Sequence, residues 1–485
     1  MSSSALPTAT AAARSPRPAL DALFGDVWPD ATLPGSPRRL VAAVGVGLLA
    51  AVVLPFREAG IGTFVVLTGV CGVVASADRR LRTPYHASAG VLCLLLVATV
   101  FVRDAEWVVA LCLLAAFAVG VCVLTEGRSL PGLLASAFAI PLAALRGLPW
   151  LGRSLARTGR PTSTRWVPAV RTLGVSVLLV LVFGLLFASA DALFATWAGA
   201  LVPDVTLDTF FLRSVVLLAT AGLTLTGVYV ALNPPQVERL AMPEARAVAR
   251  RFEWLVPVGG VVVVFSVFVA AQLTVMFGGH AYLRRTTGLT YAAYVHEGFG
   301  QLTVTTLLTL IVVGVAARKA SWNTVRDRLL LRAVLGALCV LALVVVASAL
   351  YRIHVYEQAY GFTRLRMLVS FFEAWLGLVL LLVIVAGVLL SGRWVPRAVL
   401  LTGAATLLAL AALNPDAYIA RQNLDRYQET SKVDAGYLAG LSADAVPTLA
   451  TSGLTQPCTT ALDGREDDWL EWNLGRWRAS DVTCR

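Results

Sequence analysis

The chain has 485 residues, 58% of them hydrophobic and only 14% charged, where a soluble domain carries about 25% charge. Together with a mean hydropathy of +0.75, this excludes an ordinary soluble protein and indicates a polytopic membrane protein. The formal charge of +11 would suggest nucleic acid only if the basic residues gathered on one soluble face; here they stand between apolar runs, so the bilayer is the expected partner and nucleic acid is not.

Residues 1–37 are rich in Ser, Ala, Thr and Pro without an apolar period, and read as a disordered cytoplasmic arm. The first apolar run begins only after Arg38-Arg39 and leads straight into a second, which argues against a signal peptide. Residues 38–413 then hold eleven apolar runs: Leu40–Leu54, Ile61–Ala77, Ala89–Val102, Trp107–Leu124, Val170–Ala188, Phe210–Leu232, Leu255–Gly278, Phe299–Ala316, Leu329–Leu350, Met367–Leu390 and Ala398–Leu413. Crossing a bilayer takes about 20 residues. The first three runs are short, so Leu40–Ala77 is either two crossings or a re-entrant hairpin with Pro55 and Gly60 at its tip. The stretch Ser129–Leu151, broken by Pro131, Pro141 and Pro149, reads as a helix lying on the membrane surface. Between Leu255–Gly278 and Phe299–Ala316 a polar connector, His280 to Glu297, joins two arms of a membrane hairpin. The expected fold is all-α: a transmembrane bundle of about eleven segments.

Basic residues decide the orientation. One set of loops holds Arg38 and Arg39, then Arg79, Arg80 and Arg82, then six arginines between Arg128 and Arg165, then Arg239 to Arg251, then Arg318 to Arg328, then Arg393 and Arg397. The other set holds Arg57, Arg103, Arg284 and Arg285, and Arg352, Arg364 and Arg366. Every loop with four or more basic residues belongs to the first set, which places the N-terminus in the cytoplasm and the C-terminus outside the plasma membrane. Trp150, Trp166, Trp254, Trp322 and Trp394 flank runs on the basic side, as interfacial anchors would.

Residues 414–485 form the extracytoplasmic tail. Asn414 should cap a helix running to about Tyr427, with Pro415 at its first position. Leu470, Leu474 and Trp477 share a helical face, so a small helical cap is expected on the outer surface. Of seven cysteines, Cys71, Cys93, Cys112, Cys122 and Cys339 lie in or beside apolar runs and should pack as small hydrophobes. Cys458 and Cys484 stand in the tail on the oxidising side, and a disulfide between them is expected; the competing reading is two free thiols, or a bond from Cys484 to a partner protein.

The segments Gln272–Gly279, Leu289–Tyr294 with Gly298-Phe299, Tyr360–Arg366 and Asn414–Arg421, taken together, resemble the bacterial multi-pass membrane proteins of the domain-of-unknown-function 4173 family, related to family 4153. The likeness runs from about Leu40 to Leu449. It implies many transmembrane helices and an envelope location, and brings no activity.

No nucleotide-binding, phosphate-loop, kinase or Gly-x-Ser-x-Gly signature is present. His296-Glu297 lacks the second histidine of a zinc protease, position 300 being Gly. His280, His296 and His354, with Glu297 and Glu357, are scattered among outer loops, and ordinary solvated side chains are the stronger reading, so no metal or cofactor is expected. What remains is a set of polar groups in the outer half of the membrane: Glu373, with Arg213 as an ion-pair partner, Gln272, Thr303 and Thr306. An ionisable group there costs a few kcal/mol and marks either a site or a structural pair. Above it, Arg364, Arg366 and Arg421, with Asn414, would form a positive rim over a polar vestibule suited to an anionic lipid or solute. Two functions fit: a non-enzymatic protein that binds, moves or senses an anionic ligand from outside, or a transferase acting on a lipid-linked substrate with Glu373 as base. Scarce acidic residues in the outer loops favour the first.

Overall fold

The computed structural model describes residues 27–28, 35–78, 80, 83–158, part of 172–191, 207–240, 250–287, 299–320, 324–454, 458 and 467–482, with the side chains at 275–287 outside that description. These residues contain helices and no strand, as an all-α bundle requires. In chain order the helices are α1 (Pro37–Val53), α2 (Ile61–Ala75), α3 (Pro84–Val102), α4 (Glu106–Thr125), α5 (Leu130–Ser136), α6 (Ala139–Thr158), α7 (Leu207–Leu232), α8 (Phe252–Thr287), α9 (Phe299–Lys319), α10 (Val325–Tyr360), α11 (Arg364–Leu389), α12 (Val395–Ala412), α13 (Pro415–Thr430), α14 (Ala435–Ala439), α15 (Val446–Leu449) and α16 (Leu474–Ser480).

Among the described residues, eight helices are long and apolar enough to cross a membrane: α3, α4 and α7 to α12; the bent pair α5–α6, kinked by 57°, makes nine if counted as one span. The other sequence runs are accounted for by length and coverage. Helices α1 and α2 have 17 and 15 residues, short of the 18 required, and most of Val170–Ala188 lies outside the described residues.

Two packing groups emerge. Helices α1, α2 and α7 pack together, with α3, α4 and α12 beside them; α1 and α7 approach so closely that a Cβ on Gly47 would meet the Leu217 carbonyl at 2.8 Å. The second group is α8, α9, α10 and α11, gathered around α10, whose Leu331, Leu335, Leu338, Ala342, Val345 and Ala349 form the buried spine. The steps of three and four between them are those of a helix face turned to its neighbours.

The chain shuttles between two ends. At one end, Arg39 Nη2 donates to the Ser76 carbonyl (2.9 Å), Arg397 Nε to the Gly127 carbonyl (2.9 Å) and the Arg128 amide to Glu238 Oε1 (2.5 Å). There too Arg251 pairs with Asp327 (2.6 Å). At the other end the α1–α2 turn, the α3–α4 turn and the α10–α11 turn all meet the C-terminal cap. Arg57 reaches Asp468 (2.9 Å), Asn473 Nδ2 donates to the Val100 and Arg103 carbonyls (3.0 and 2.9 Å), and the Phe362 amide donates to Asn423 Oδ1 (2.9 Å). The tip of the α1–α2 hairpin therefore lies beside the cap.

The cap is α13 to α16 with their connections. Ile419, Ala420, Leu424, Leu438, Val446 and Leu449 close a small core against Phe362, Met367 and Leu410 of the bundle. Cys458 is buried in it and disulfide-bonded; the five cysteines near apolar runs are free, and Cys484 lies outside the described residues.

Several local expectations change. Helix α8 continues through Gly278 and Gly279 to Thr287, and α10 runs ten residues past Leu350 to Tyr360, so Arg352 and His354 stand on a helix instead of in a loop. Pro415 opens α13, but Asn414 adopts the left-handed conformation (φ 57°, ψ 73°) and its side chain makes no capping bond. Asn473 instead caps α16, accepting from the Gly475 and Arg476 amides (2.8 and 3.3 Å). Residues 468–471 form a turn on Asp468 Oδ1. Leu470 thus precedes the helix, and Trp477 is half-exposed on it rather than packed beneath.

Helices α5 and α6 turn an apolar side outward, with Leu134, Phe138, Leu142, Leu145 and Leu148 exposed, while Ser136, Arg146 and Ser154 are buried. Arg146 Nη2 donates to the Trp28 carbonyl (2.6 Å). An apolar exterior over a polar interior suits contact with lipid.

Candidate functional site

Four helices of the second group bring polar side chains to one level. Gln272 on α8 and Arg352 on α10 are both buried, and Gln272 Oε1 accepts from Arg352 Nη2 (2.8 Å) and from Ser348 Oγ (3.2 Å). Thr303 on α9 donates its hydroxyl to Glu373 Oε1 on α11. Glu373 is 0% exposed, and its Oε2 has no hydrogen-bond partner among the described residues. The Ser370 hydroxyl, one turn away on α11, is likewise buried without one. Thr306 and Thr309 on α9 are buried but satisfied by the carbonyls of Leu302 and Thr305 (3.1 and 2.8 Å).

The depth follows from register. Arg352 lies eight residues before the end of α10 and Glu373 nine after the start of α11, each about 13 Å along its helix at 1.5 Å per residue. Trp375 packs over Gly403 and donates to Thr402 Oγ1 (3.4 Å), which sets Glu373 about 10 Å inside the cap end of α12. At such a depth an ionised carboxylate is costly unless it is paired or faces a wet cavity.

The sequence-derived set is brought together only in part. Glu373, Gln272 and Thr303 share the layer. Arg213, half-buried on α7, belongs to the group built on α1 and α2, and no described ion pair joins it to Glu373. The buried arginine of the layer is Arg352, which the sequence reading left in a loop. Its signal was periodicity: Val345, Ala349, Arg352 and Ile353 continue the buried face of α10 beyond the point where apolarity stops.

The proposed rim is largely committed elsewhere. Arg364 forms a two-pronged pair with Asp416, Nε to Oδ1 (3.0 Å) and Nη2 to Oδ2 (2.5 Å). Asp416 is 0% exposed and also accepts from Trp107 Nε1 (3.2 Å) and the Ser442 amide (2.9 Å). Burial pushes its carboxyl up, but Arg364 and the Ser442 amide outweigh it and hold the carboxyl below the usual carboxylate range. Arg366 donates to the Tyr360 and Gly361 carbonyls and lies over the Tyr356 ring at 4.5 Å. Arg421 is exposed, 6.0 Å from the Tyr418 ring centroid. Arg364 thus ties α11 to the cap and Arg366 fastens the α10–α11 turn.

Among the described residues no group of three His, Cys, Asp or Glu side chains converges as a metal site would. His354 is exposed beside Gln358 (3.0 Å), and the side chains of His280, His296 and Glu297 lie outside the described residues.

No curated protein and no solved structure matches the chain. The family described as "Domain of unknown function (DUF4153)" matches residues 90–452, that is 363 of the 485 residues and most of the bundle and cap, so the relative named second in the sequence comparison, rather than family 4173, is the one matched, and the chain belongs to it.

Proposed function

We propose that this membrane protein binds, moves or senses an anionic ligand that reaches the layer of Gln272, Arg352, Thr303 and Glu373 from the capped end, and that this end faces away from the cytoplasm at the plasma membrane. The observation that supports the reading is the burial of Arg352 and Glu373 at one level inside a bundle of apolar helices. Such groups in a membrane interior mark a ligand or ion path more often than a scaffold. Arg352 replaces Arg364 and Arg366 as the anion-recognising group, because its guanidinium lies at the depth where a ligand would be stripped of water. The orientation rests on the abundance of Arg and Lys at the end opposite the cap.

The test uses full-length protein in lipid nanodiscs and follows thermal unfolding with acetate, inorganic phosphate and glycerol phosphate. A rise in Tm with one of these anions, absent in Arg352→Gln, is expected. No shift with any anion, or an equal shift in the variant, would remove the reading. Orientation is checked separately: alkaline phosphatase fused after Tyr437 should be active and fused after Arg250 inactive, and the reverse result would turn the layer towards the cytoplasm.

A further inference from the structure

One row of side chains on α1 is turned away from the protein along the length of the helix. Val41, Val44, Leu48 and Val52 are exposed by 45 to 72%, and their steps of three and four make a single helix face. Phe56, one step further, continues the row past the end of α1 and is 68% exposed. Its backbone is left-handed (φ 65°), a conformation that a bulky residue keeps only where its surroundings impose it. Here they do. Arg57 Nη1 donates to the Val52 carbonyl (2.8 Å) and its Nε to Asp468 Oδ2 (2.9 Å), and the Glu58 amide donates to Glu471 Oε1 (3.3 Å). The phenyl ring is therefore held outward by a fastened turn.

The facing segment of the cap repeats the arrangement. Asp468 Oδ1 accepts from the Leu470 and Glu471 amides (2.6 and 3.0 Å), and the Leu470 carbonyl accepts from the Gly62 amide (2.8 Å). Leu470 packs against the cluster of Ala50, Val53 and Val66. Trp469 is left 77% exposed, its indole N–H without a partner among the described residues. Phe56 precedes Arg57 and Trp469 follows Asp468, so both rings leave the protein beside one ion pair.

Their height matches a membrane boundary. Arg39, bonded to the Ser76 carbonyl at the basic end, stands 17 residues before Phe56, about 25 Å at 1.5 Å per residue. The hydrocarbon core is about 30 Å thick. Lipid that covers the apolar row of α1 thus ends close to Phe56, where an indole, apolar in body with one free N–H, is most favourably placed.

We infer that Phe56 and Trp469 form an aromatic anchor that seats the capped end at the glycerol and headgroup level of the bilayer, so that α1, short as it is, reaches from one interface to the other. The surface is continuous with the lipid-facing row and its partner is phospholipid. It depends neither on anion binding in the membrane layer nor on which side of the membrane the capped end faces.

Tryptophan emission from full-length protein in phosphatidylcholine vesicles tests the anchor, with bromine on the acyl chains near the headgroup or near the far end, and iodide in the water. The parent spectrum minus that of Trp469→Phe isolates Trp469; the spectrum of Phe56→Trp minus the parent isolates an indole at 56. Both changes keep an aromatic ring at an exposed position, and an unaltered unfolding temperature checks that the fold is kept. Each difference spectrum should lie to the blue of a water-exposed indole, lose more emission to shallow than to deep bromines, and lose least to iodide. Loss to iodide alone would put the rings in water. Protection from iodide and from both bromolipids would put a protein partner or a second copy of this chain there, and greater loss to deep bromines would sink the rings into the acyl core. Any of these three results overturns the anchor.

Discussion

The cap and the membrane layer each bury one carboxylate completely, and treat it in opposite ways. Asp416 is 0% exposed and has Arg364 on both oxygens, an indole N–H and a backbone amide. Glu373 is equally buried and has one described partner, the Thr303 hydroxyl, with its second oxygen unmet. Full satisfaction is what a fastening needs, because a buried charge is tolerable only when its hydrogen bonds are made. Partial satisfaction is a cost that a purely structural residue would not carry, since a Leu or Gln could fill the space. The difference sets a fully satisfied latch, Asp416, against a buried carboxylate that the structure leaves half-satisfied, Glu373.

Breaking the latch should have the largest effect. Asp416→Ala leaves the Arg364 head without its partner, and removal of one member of a buried pair costs roughly 3 to 5 kcal/mol; with the Arg364 side chain 35% exposed, the lower end applies. Hydrogen exchange over residues 435–454 should show cap amides losing protection while α10 keeps its own. If protection were unchanged, the latch would be ornamental and the contrast with Glu373 would collapse. The pH dependence has a definite sign. Asp416 is held low, so its contribution is present above the unfolded value of about 4 and is lost as pH falls through the folded value. Asp444 is held high by burial, so the folded state binds its proton more readily than the unfolded one. Between the folded value and about pH 4, acidification therefore stabilises the cap through Asp444. Cap protection should rise as pH drops from neutral and then fall once Asp416 titrates. A monotonic decline from pH 7 would contradict the environment assigned to Asp444.

The disulfide comes next. Cys458 is bonded, and we propose Cys484 as its partner, closing a loop that the chain-entropy model values at about 3.5 kcal/mol. Non-reduced peptide mapping should yield a linked pair, and reduction should loosen residues 467–482 before the bundle. Alkylation of both thiols without reduction would exclude the bridge.

Within the layer the contrast sharpens at the level of pairs. Arg352 and Gln272 share a 2.8 Å hydrogen bond, so Arg352→Met and Gln272→Leu should be non-additive, with a coupling of about 1 to 2 kcal/mol. Additive losses in thermal unfolding would show that the bond does not hold the layer together.

How much of this was legible in the sequence depended on whether hydrophobicity or periodicity carried the information. The apolar helices of the bundle were readable because hydrocarbon demands long apolar runs, and Gln272, Thr303 and Glu373 stood out as polar residues inside them. Arg352 was missed because the apolar run stops at Leu350 while the helix does not; beyond that run, buried polar and apolar residues follow the same period, and hydropathy alone cannot see it. Arg364 and Arg366 looked like a rim because their partners, Asp416 and the carbonyls of residues 360 and 361, become neighbours only once α10, α11 and the cap have met. Asn414 looked like a cap because residue type and a following proline are a strong helix-start signal, yet with a left-handed backbone at that position its side chain makes no capping bond.

The smallest expected effect concerns Arg213 and Glu373. The sequence paired them, and a pair requires that Glu373→Gln and Arg213→Gln together cost less than the sum of the two. The structure sets Arg213 on α7, which packs with α1 and α2, and gives Glu373 to Thr303 on α9. Sites without shared partners add within about 0.5 kcal/mol, so the double variant should lose what the singles lose in sum. Glu373→Gln on its own should cost little in unfolding temperature, because the amide oxygen still accepts from Thr303, while ligand-dependent shifts should change if the layer is a site. A coupling well above 0.5 kcal/mol between 213 and 373 would join the two helix groups through these residues and return Glu373 to the class of fastenings to which Asp416 belongs.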